Sequence, residues 1–324
     1  MNKNTIHSLR LVLFLCLFAG IHSVHAQREK LVFSPHWLPQ AQFAGFYVAL
    51  DQGFYEEVGL DVELIHPSAN ISSINLLKEG KADVVSTFLM DAIKRRVNGL
   101  PLVNFAQLSQ HSALMLVVKK NSGISSVADL NGKKLGIWSS GFDDIPFAFL
   151  HDHHIEMEIV RIHSSINLFL MEGIDAMTVM NYNEYNQIIN SGINEDELVT
   201  FYLADYGYDI PEDGLYCLES TYASKKESLK KFAEATLKGW EYAGKNKEYT
   251  LDLVVEEMKK AHRSNNKSHQ RWMLERMLEL ITPTNKNVSF GQLLPSDFLY
   301  ALEMVQRNAN GGEKKLKMDA FFMK

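Results

Sequence analysis

The chain has 324 residues, 46% of them hydrophobic, and a formal net charge of −6. Its 39 acidic residues outnumber 33 Lys and Arg, so it lacks the net-basic footprint that a nucleic-acid partner requires. Its two cysteines are too few for a disulfide framework or for a structural zinc site built on several cysteines.

The first 26 residues have the features of a secretory signal, which is removed from the mature protein. Lys3 and Arg10 are basic, residues 11–21 are apolar, and residues 24–26 (VHA) resemble a small-residue cleavage site. The apolar stretch is shorter than a bilayer-spanning helix needs, so an uncleaved anchor is the less favoured alternative. Taking 26 residues from 324 leaves 298, which is enough for two domains of about 150 residues each.

A strand–helix–strand unit follows the predicted signal. Residues 31–33 form a short apolar run, residues 43–50 carry apolar side chains at helical spacing, and residues 62–65 form a second strand-like run. Strands joined in this way are parallel neighbours, and ligands of such sheets bind outside the carboxyl ends of the strands. The side chains that fall at that end are His36, Trp37, Gln40, Gln42 and Phe43.

Strand-like and helical runs alternate through the next part of the chain, which predicts an α/β fold. A helix leads into a strand over residues 81–86, and further strands are predicted at 113–118, 134–138 and 177–180. After Tyr222 the pattern becomes helical, over residues 228–243, 249–261 and 269–281.

One segment of the chain echoes another. Residues 76–99 align without gaps to residues 169–192, with the shared order helix, Glu-Gly turn, strand, loop, helix and Gly. The echo indicates two lobes of similar construction. It also puts Asp91 and Glu184 at equivalent positions, just past the carboxyl end of a strand.

A set of motifs gives the chain a family resemblance over residues 31 to about 255. The residues that carry it are Trp37, Pro39, Gln40, Gly45, Tyr47-Val48-Ala49, Gly53-Phe54-Tyr55, Gly59-Leu60-Asp61-Val62, Glu212-Asp213-Gly214-Leu215-Tyr216 and Lys238-Gly239-Trp240-Glu241-Tyr242-Ala243. In these the chain resembles the periplasmic solute-binding proteins of ABC transporters that carry thiamine-pyrimidine precursors, sulfonates, nitrate and taurine. The thiamine-precursor branch has Asn and His where this chain has Gln40 and Phe43.

The resemblance implies a type II periplasmic binding protein, in which two lobes, each a mixed sheet flanked by helices, are joined by two hinge strands. It places the first lobe at 27–113 plus 218–324 and the second at 114–217, with crossings near 112–118 and 215–220. It further implies a monomer without cofactor or catalytic activity. Such a protein delivers a small molecule to the membrane permease of an ABC importer by hinge closure.

Two segments supply the principal candidates for ligand contact. Trp37 offers a flat face for stacking, although a core Trp beneath the first helix is the alternative. Asn181, Tyr182 and Glu184 resemble a Tyr-Asn-Glu segment of the family, in which Tyr182 would stack and Glu184 would accept hydrogen bonds from ligand amino groups. An ordinary helix cap is the alternative for this segment.

Further polar residues occupy equivalent loops. These candidates are Ser86, Thr87, Asp91, Gln110, Trp138, Ser139 and Ser140. Hydroxyls before a helix can hold an anion, and Asp91 can equally face solvent in a first helical turn. Because both echo positions are acidic and no Lys or Arg stands in these loops, we expect an amine-bearing heterocycle rather than a sulfonate or nitrate.

Two other classes of function stay open. A ligand-sensing module for a membrane signalling partner would use the same domain. A secreted metal-dependent enzyme would use His151 and His154, which share a face if they lie on one helix, together with His163. No common nucleophile or metalloprotease motif is present, and the cysteine-rich motif of the family's eukaryotic enzyme branch is missing.

Overall fold

The computed structural model describes residues 28–68, 71–138, 143–163, 165–283, 288–307 and 316–323. The predicted signal, Ser139 and Ser140 lie outside these ranges. Within them, no helix combines the length and apolar character needed to cross a membrane.

In the part of the chain that the structure describes, ten strands form two five-stranded sheets, in the orders β2-β1-β3-β10-β4 and β7-β6-β8-β5-β9. The strands are β1 Glu29–Ser34, β2 Leu60–Leu64, β3 Val84–Phe88, β4 Leu102–Gln107, β5 Leu114–Lys119, β6 Lys134–Trp138, β7 Glu158–Ile162, β8 Ala176–Met180, β9 Leu198–Tyr202 and β10 Asp213–Leu218. β1 pairs in parallel with β2 and β3, and β6 pairs in parallel with β7 and β8. β10 and β5 are the antiparallel strands of their sheets. The predicted architecture of two mixed sheets is confirmed.

Helices flank both sheets. They are α1 Ala44–Asp51, α2 Phe54–Glu57, α3 Ser73–Lys78, α4 Leu89–Val97, α5 Asp144–Asp152, α6 Asn167–Leu170, α7 Asn186–Asn190, α8 Glu219–Lys245, α9 Lys247–Lys260, α10 Lys267–Ile281 and α11 Pro295–Arg307. The helices predicted from periodicity near residues 43–50 and after residue 222 are therefore confirmed. A π-helical turn, Asn181–Tyr185, precedes α7.

The internal echo corresponds to a repeat in three dimensions. β3 with α4 and β8 with the π-helical turn and α7 occupy the same place, third from one edge, in their respective sheets. We call the sheet that contains β1 and its helices the first lobe, and the sheet that contains β6 and its helices the second lobe. Because both lobes use one plan, the carboxyl ends of β1, β3, β6 and β8 can face each other across a cleft.

The chain passes between the sheets twice, over residues 108–113 and 203–212. β10 follows the second crossing, and its partners among the described residues are β3 and β4 of the first sheet. We therefore propose that the second lobe ends before Asp213, a few residues earlier than the sequence suggested. The apolar residues of β10 belong to the interior of the first sheet, where both neighbours bury them.

The end of the chain docks onto the first sheet. Phe321 is fully buried and its ring lies 5.5 Å from that of Phe298. The backbone N–H of Asn104 donates to the Phe321 carbonyl at 2.7 Å, and Phe322 forms a parallel β-bridge with Asn104. These contacts cover part of the outer edge of β4, which would otherwise expose unpaired backbone groups.

Candidate functional site

A cleft of about 570 Å³, part of it open to solvent, separates the two lobes at the carboxyl ends of β1, β3, β6 and β8. The first lobe contributes loops after β1 and β3, and the second lobe contributes the ends of β6 and β8 and the π-helical turn. The lining residues are His36, Trp37, Gln40, Gln42, Phe88, Leu114, Trp138, His163, Val179, Met180, Tyr182, Asn183 and Glu184.

Six of the residues proposed from sequence lie in this cleft. They are Trp37, Gln40, Gln42, Trp138, Tyr182 and Glu184. Trp37 is 39% exposed, so it is a cleft residue and does not pack in the core beneath α1. Trp138 is fixed through its indole N–H, which donates to the Thr178 carbonyl over 3.0 Å. The cleft thus has aromatic side chains on both walls.

Phe43 and Ser86 lie behind the wall of the first lobe. Phe43 is buried, with its ring edge-on to His36 at 5.4 Å. The Ser86 hydroxyl accepts from the His36 backbone N–H at 3.0 Å and lies 2.9 Å from His36 Nδ1. Both residues position His36 and do not line the cleft.

Thr87, Asp91 and Gln110 also do not line the cleft. Asp91 accepts from the Thr87 hydroxyl at 2.9 Å and from Arg95 Nε at 2.6 Å. Arg95 stands one helical turn after Asp91, so the carboxylate is neutralised on its own helix. Gln110 Nε2 donates to the carbonyls of Gln107 and Gln292, and so ties the first crossing to the first lobe.

Asn181 holds the two lobes together through its backbone. Its carbonyl accepts from the indole N–H of Trp272, on α10 of the first lobe, over 2.8 Å. Its side-chain oxygen is buried and has no hydrogen-bond partner among the described residues. Asn181 is therefore next to the cleft without lining it.

A polar network runs through Gln42 from one lobe to the other. Gln42 Nε2 donates to Asp213 Oδ2 at 3.0 Å and to the Tyr182 hydroxyl at 3.2 Å. Gln40 Nε2 donates to Gln42 Oε1 at 2.7 Å. Because the Tyr182 oxygen accepts from Gln42, its own proton is free to point into the cleft.

Both ring nitrogens of His36 have polar neighbours, and Nε2 also lies 3.3 Å from Gln42 Nε2. Ser86 accepts from the His36 backbone N–H, so its own hydroxyl proton is available to Nδ1. Nε2 lies 3.7 Å from Asp213 Oδ1. Burial lowers the pKa of His36, opposed by the charge of Asp213, and the imidazole is therefore neutral near pH 7.

Glu184 is the carboxyl group that the second lobe presents to the cleft. Its Oε2 accepts from the Met180 N–H at 2.9 Å, as a helix cap does, and its Oε1 accepts from Asn183 Nδ2 at 2.8 Å. Burial raises the pKa of Glu184 to about 7. A carboxylate has about four lone-pair sites, so Glu184 caps its turn and retains capacity for a ligand donor.

Two buried acids at the second crossing are functional candidates that the sequence did not single out. Asp213 is 4% exposed, and its Oδ1 has no hydrogen-bond partner within the described ranges. Glu212 Oε1 accepts from the Ser112 hydroxyl and the Ala113 N–H at 2.9 and 2.7 Å. Burial raises the pKa of Asp213, and it raises the pKa of Glu212 to about 8. An adjacent acid pair at the start of a buried strand was the available signal.

Comparison with known proteins assigns the family. Residues 40–249 match the family described as NMT1/THI5 like, and this range contains most of the cleft residues. The chain belongs to the NMT1/THI5-like family.

Individual relatives and structures agree with this NMT1/THI5-like assignment. A putative thiamine biosynthesis protein from Haemophilus influenzae is 30% identical over 186 residues, which cover 56% of this chain and 58% of that protein. A formylaminopyrimidine-binding protein from Halalkalibacterium halodurans is 24% identical over 228 residues, 68% of each chain. The Escherichia coli periplasmic aliphatic sulphonate binding protein SsuA superposes with a TM-score of 0.66 at 14% identity, covering 86% of this chain and 90% of SsuA. The last comparison shows a shared periplasmic binding protein fold.

His151 and His154, the candidate metal ligands, are not placed to bind one metal ion together in this NMT1/THI5-like chain. α5 ends at Asp152, and His154 adopts a left-handed φ of 54° beyond that end. His151 and His154 therefore do not share a helical face. Within the described ranges, no three His, Cys, Asp or Glu side chains are grouped to hold a metal ion.

The raised pKa values of two buried glutamates predict how the stability of this NMT1/THI5-like protein depends on pH. The pKa values of Glu184 and Glu212 rise from 4.5 to about 7 and about 8 on folding. The folded state then binds more protons than the unfolded state, so the free energy of unfolding falls as pH rises from about 4.5 to about 8. Glu184→Gln should reduce the fall in unfolding free energy between pH 5 and pH 8 by about 1 kcal/mol or more. Urea unfolding of both proteins at these two pH values measures the difference.

The control for this prediction is Glu227→Gln, which changes an exposed carboxyl on α8. It should leave the difference in unfolding free energy between the two pH values unchanged. A Glu184→Gln protein with the same pH dependence as the wild type would contradict the assigned burial of Glu184.

Proposed function

We propose that this protein is an extracytoplasmic solute-binding protein that delivers a small, amine-bearing heterocycle to an ABC importer. A pyrimidine precursor of thiamine is the ligand type that fits best. The observation that carries the proposal is the inter-lobe cleft, in which Trp37, Trp138 and Tyr182 supply flat faces and Glu184 supplies a buried carboxyl. Flat faces suit a planar ring, and a carboxylate suits its amino group.

The charges of the cleft favour such a ligand over an anion. Among the described residues, its lining contains Glu184, His36, His163 and Tyr182 as ionisable groups and includes no Lys or Arg. Asp213 lies directly behind His36 and adds a second acid. A sulfonate or nitrate would lose part of its hydration in this cleft, and no cation among the described lining residues would offset that loss. The name of the Halalkalibacterium relative points to the same ligand class.

Closure of the lobes would couple binding to transport. Gln42 of the first lobe donates to Tyr182 of the second, and Lys94 of α4 pairs with Asp144 of α5 across the lobes at 3.0 Å. A ligand that contacts both walls stabilises the arrangement in which these contacts exist, because only that arrangement satisfies both sets of partners. The closed lobes would form the surface that a permease recognises.

A thermal-shift screen tests this proposal. We expect 4-amino-2-methylpyrimidine compounds to raise the melting temperature, because ligand at 100 times its dissociation constant adds about 2.7 kcal/mol of stability. Alkanesulfonates and nitrate at the same concentration should give no shift. A shift with an alkanesulfonate and none with any aminopyrimidine would overturn the assigned ligand class.

A further inference from the structure

A second, smaller chamber of about 360 Å³, part of it open to solvent, lies beside the cleft and between the lobes. Its lining and that of the cleft share three side chains, Phe88, Leu114 and Met180. These sit at the end of β3, the start of β5 and the end of β8, which is the point where both sheets meet the first crossing. The two spaces are therefore neighbours that share a wall of these three apolar side chains, which we call the neck.

The side chains beyond the neck are predominantly apolar. Met90 lies in the first turn of α4, Ile145 lies in the first turn of α5, and Ile210 belongs to the second crossing. Met90 and Ile210 are 4% and 1% exposed, so these two side chains form a buried part of the chamber wall. Such a space gains little from water and is suited to an apolar group.

Both acids on the chamber wall already have partners. Asp144 is paired with Lys94 Nζ at 3.0 and 3.1 Å, and Glu212 accepts from Ser112 and Ala113. The Lys94–Asp144 pair also joins α4 of the first lobe to α5 of the second. The acids therefore do not require a cationic ligand in this space.

We propose that the ligand has two parts, a polar heterocycle held in the cleft and an apolar arm of about four carbons that passes the neck into the chamber. This inference rests on the proposed function and narrows its ligand class to substituted heterocycles. The arm would remove apolar surface from water on both partners, and each buried methylene favours binding about fourfold. A bare aminopyrimidine would leave the chamber unfilled.

Calorimetric titration with two synthetic probes separates the parts. We expect 4-amino-5-butyl-2-methylpyrimidine to bind the wild type at least about tenfold more tightly than 4-amino-2,5-dimethylpyrimidine, since three more methylenes are buried. Ile145→Trp fills the chamber and should bring the affinity ratio towards one. Phe147→Trp enlarges a side chain of the same helix that stacks on Arg161, outside the chamber, and should preserve the ratio.

The outcomes distinguish this inference from the proposed function. If the dimethyl probe binds and the butyl probe binds no better, the chamber does not take an arm, while the proposed function stands. If neither probe binds, the proposed function and this inference both fail. The wild-type ratio decides the matter even if Ile145→Trp does not fold, and Met90→Phe offers a second way to fill the chamber.

Discussion

Trp37→Ala should weaken binding of an aminopyrimidine by about 2 kcal/mol, or about 30-fold in dissociation constant. The indole is 39% exposed and lines the cleft, so its face can stack on a ligand ring and lose its contact with water. Stacking adds about 0.5–1.5 kcal/mol to the gain from burying aromatic surface. Calorimetric titration of the two proteins measures the difference.

The position of Trp37 is set by the backbone, which makes the truncation a clean test. The Trp37 carbonyl lies 2.7 Å from His66 Nδ1, and His66 Nε2 lies 2.9 Å from the Tyr47 hydroxyl. These contacts do not involve the indole, so Trp37→Ala should remain folded. Tyr206→Ala is the matched control, because Tyr206 is 38% exposed and does not line the cleft. Equal affinities for Trp37→Ala and the wild type would mean that the ligand does not stack on this face.

Gly239→Ala should lower the free energy of unfolding by about 2–3 kcal/mol. Gly239 lies in α8 where this helix crosses α1, and a Cβ there would stand 2.1 Å from the Gly45 carbonyl oxygen and 2.9 Å from Ala49 Cβ. Backbone atoms cannot turn aside as a flexible side chain does, so the two helices would have to separate. Urea unfolding of the two proteins gives the difference.

Gly244→Ala in the same helix is the matched control. A Cβ at this position would meet only Leu278 methyl groups, at 3.4 and 3.7 Å. Since alanine is a better helix former than glycine, this change should leave stability unchanged or raise it by up to about 1 kcal/mol. A destabilisation of equal size in both variants would show that the close approach of α1 and α8 is not the cause.

Local patterns predicted much of the fold because they report which face of a segment is buried. The apolar spacing over residues 43–50 gave α1, and the strand-like runs on either side gave the parallel pair β1 and β2. The second crossing was harder to predict. β10 joins the first sheet as an antiparallel insertion between β3 and β4, and a pairing between residues more than 100 positions apart leaves no local pattern.

The candidate site was predicted in part for the same reason. Phe43 belonged to two patterns, the apolar stripe of the first helix and the loop at the strand end. It is buried in the core, as the apolar stripe predicts. The echo paired Asp91 with Glu184, but Arg95 follows Asp91 by one turn and binds it. The residue one helical turn after Glu184 is Ile188. Isoleucine cannot form an ion pair, so the Glu184 carboxyl stays available to the cleft.

Asp213 shows what sequence reasoning missed and why. It matched the family motif but carried no chemical role, because its place beside Gln42 and His36 depends on the insertion of β10 into the first sheet. With it, the polar side of the cleft becomes a connected set of Gln42, Tyr182, His36 and Asp213 that spans both lobes. That set explains how ligand contact and lobe contact can depend on each other.

The most direct test of this account is a calorimetric titration of the purified wild-type protein with 4-amino-2,5-dimethylpyrimidine and, separately, with an alkanesulfonate. We expect one molecule of the pyrimidine to bind per chain, because the lobes form a single shared cleft, and we expect no heat of binding from the sulfonate. Saturable binding of the sulfonate with no binding of the pyrimidine would contradict the assignment of the inter-lobe cleft as a site for an amine-bearing heterocycle.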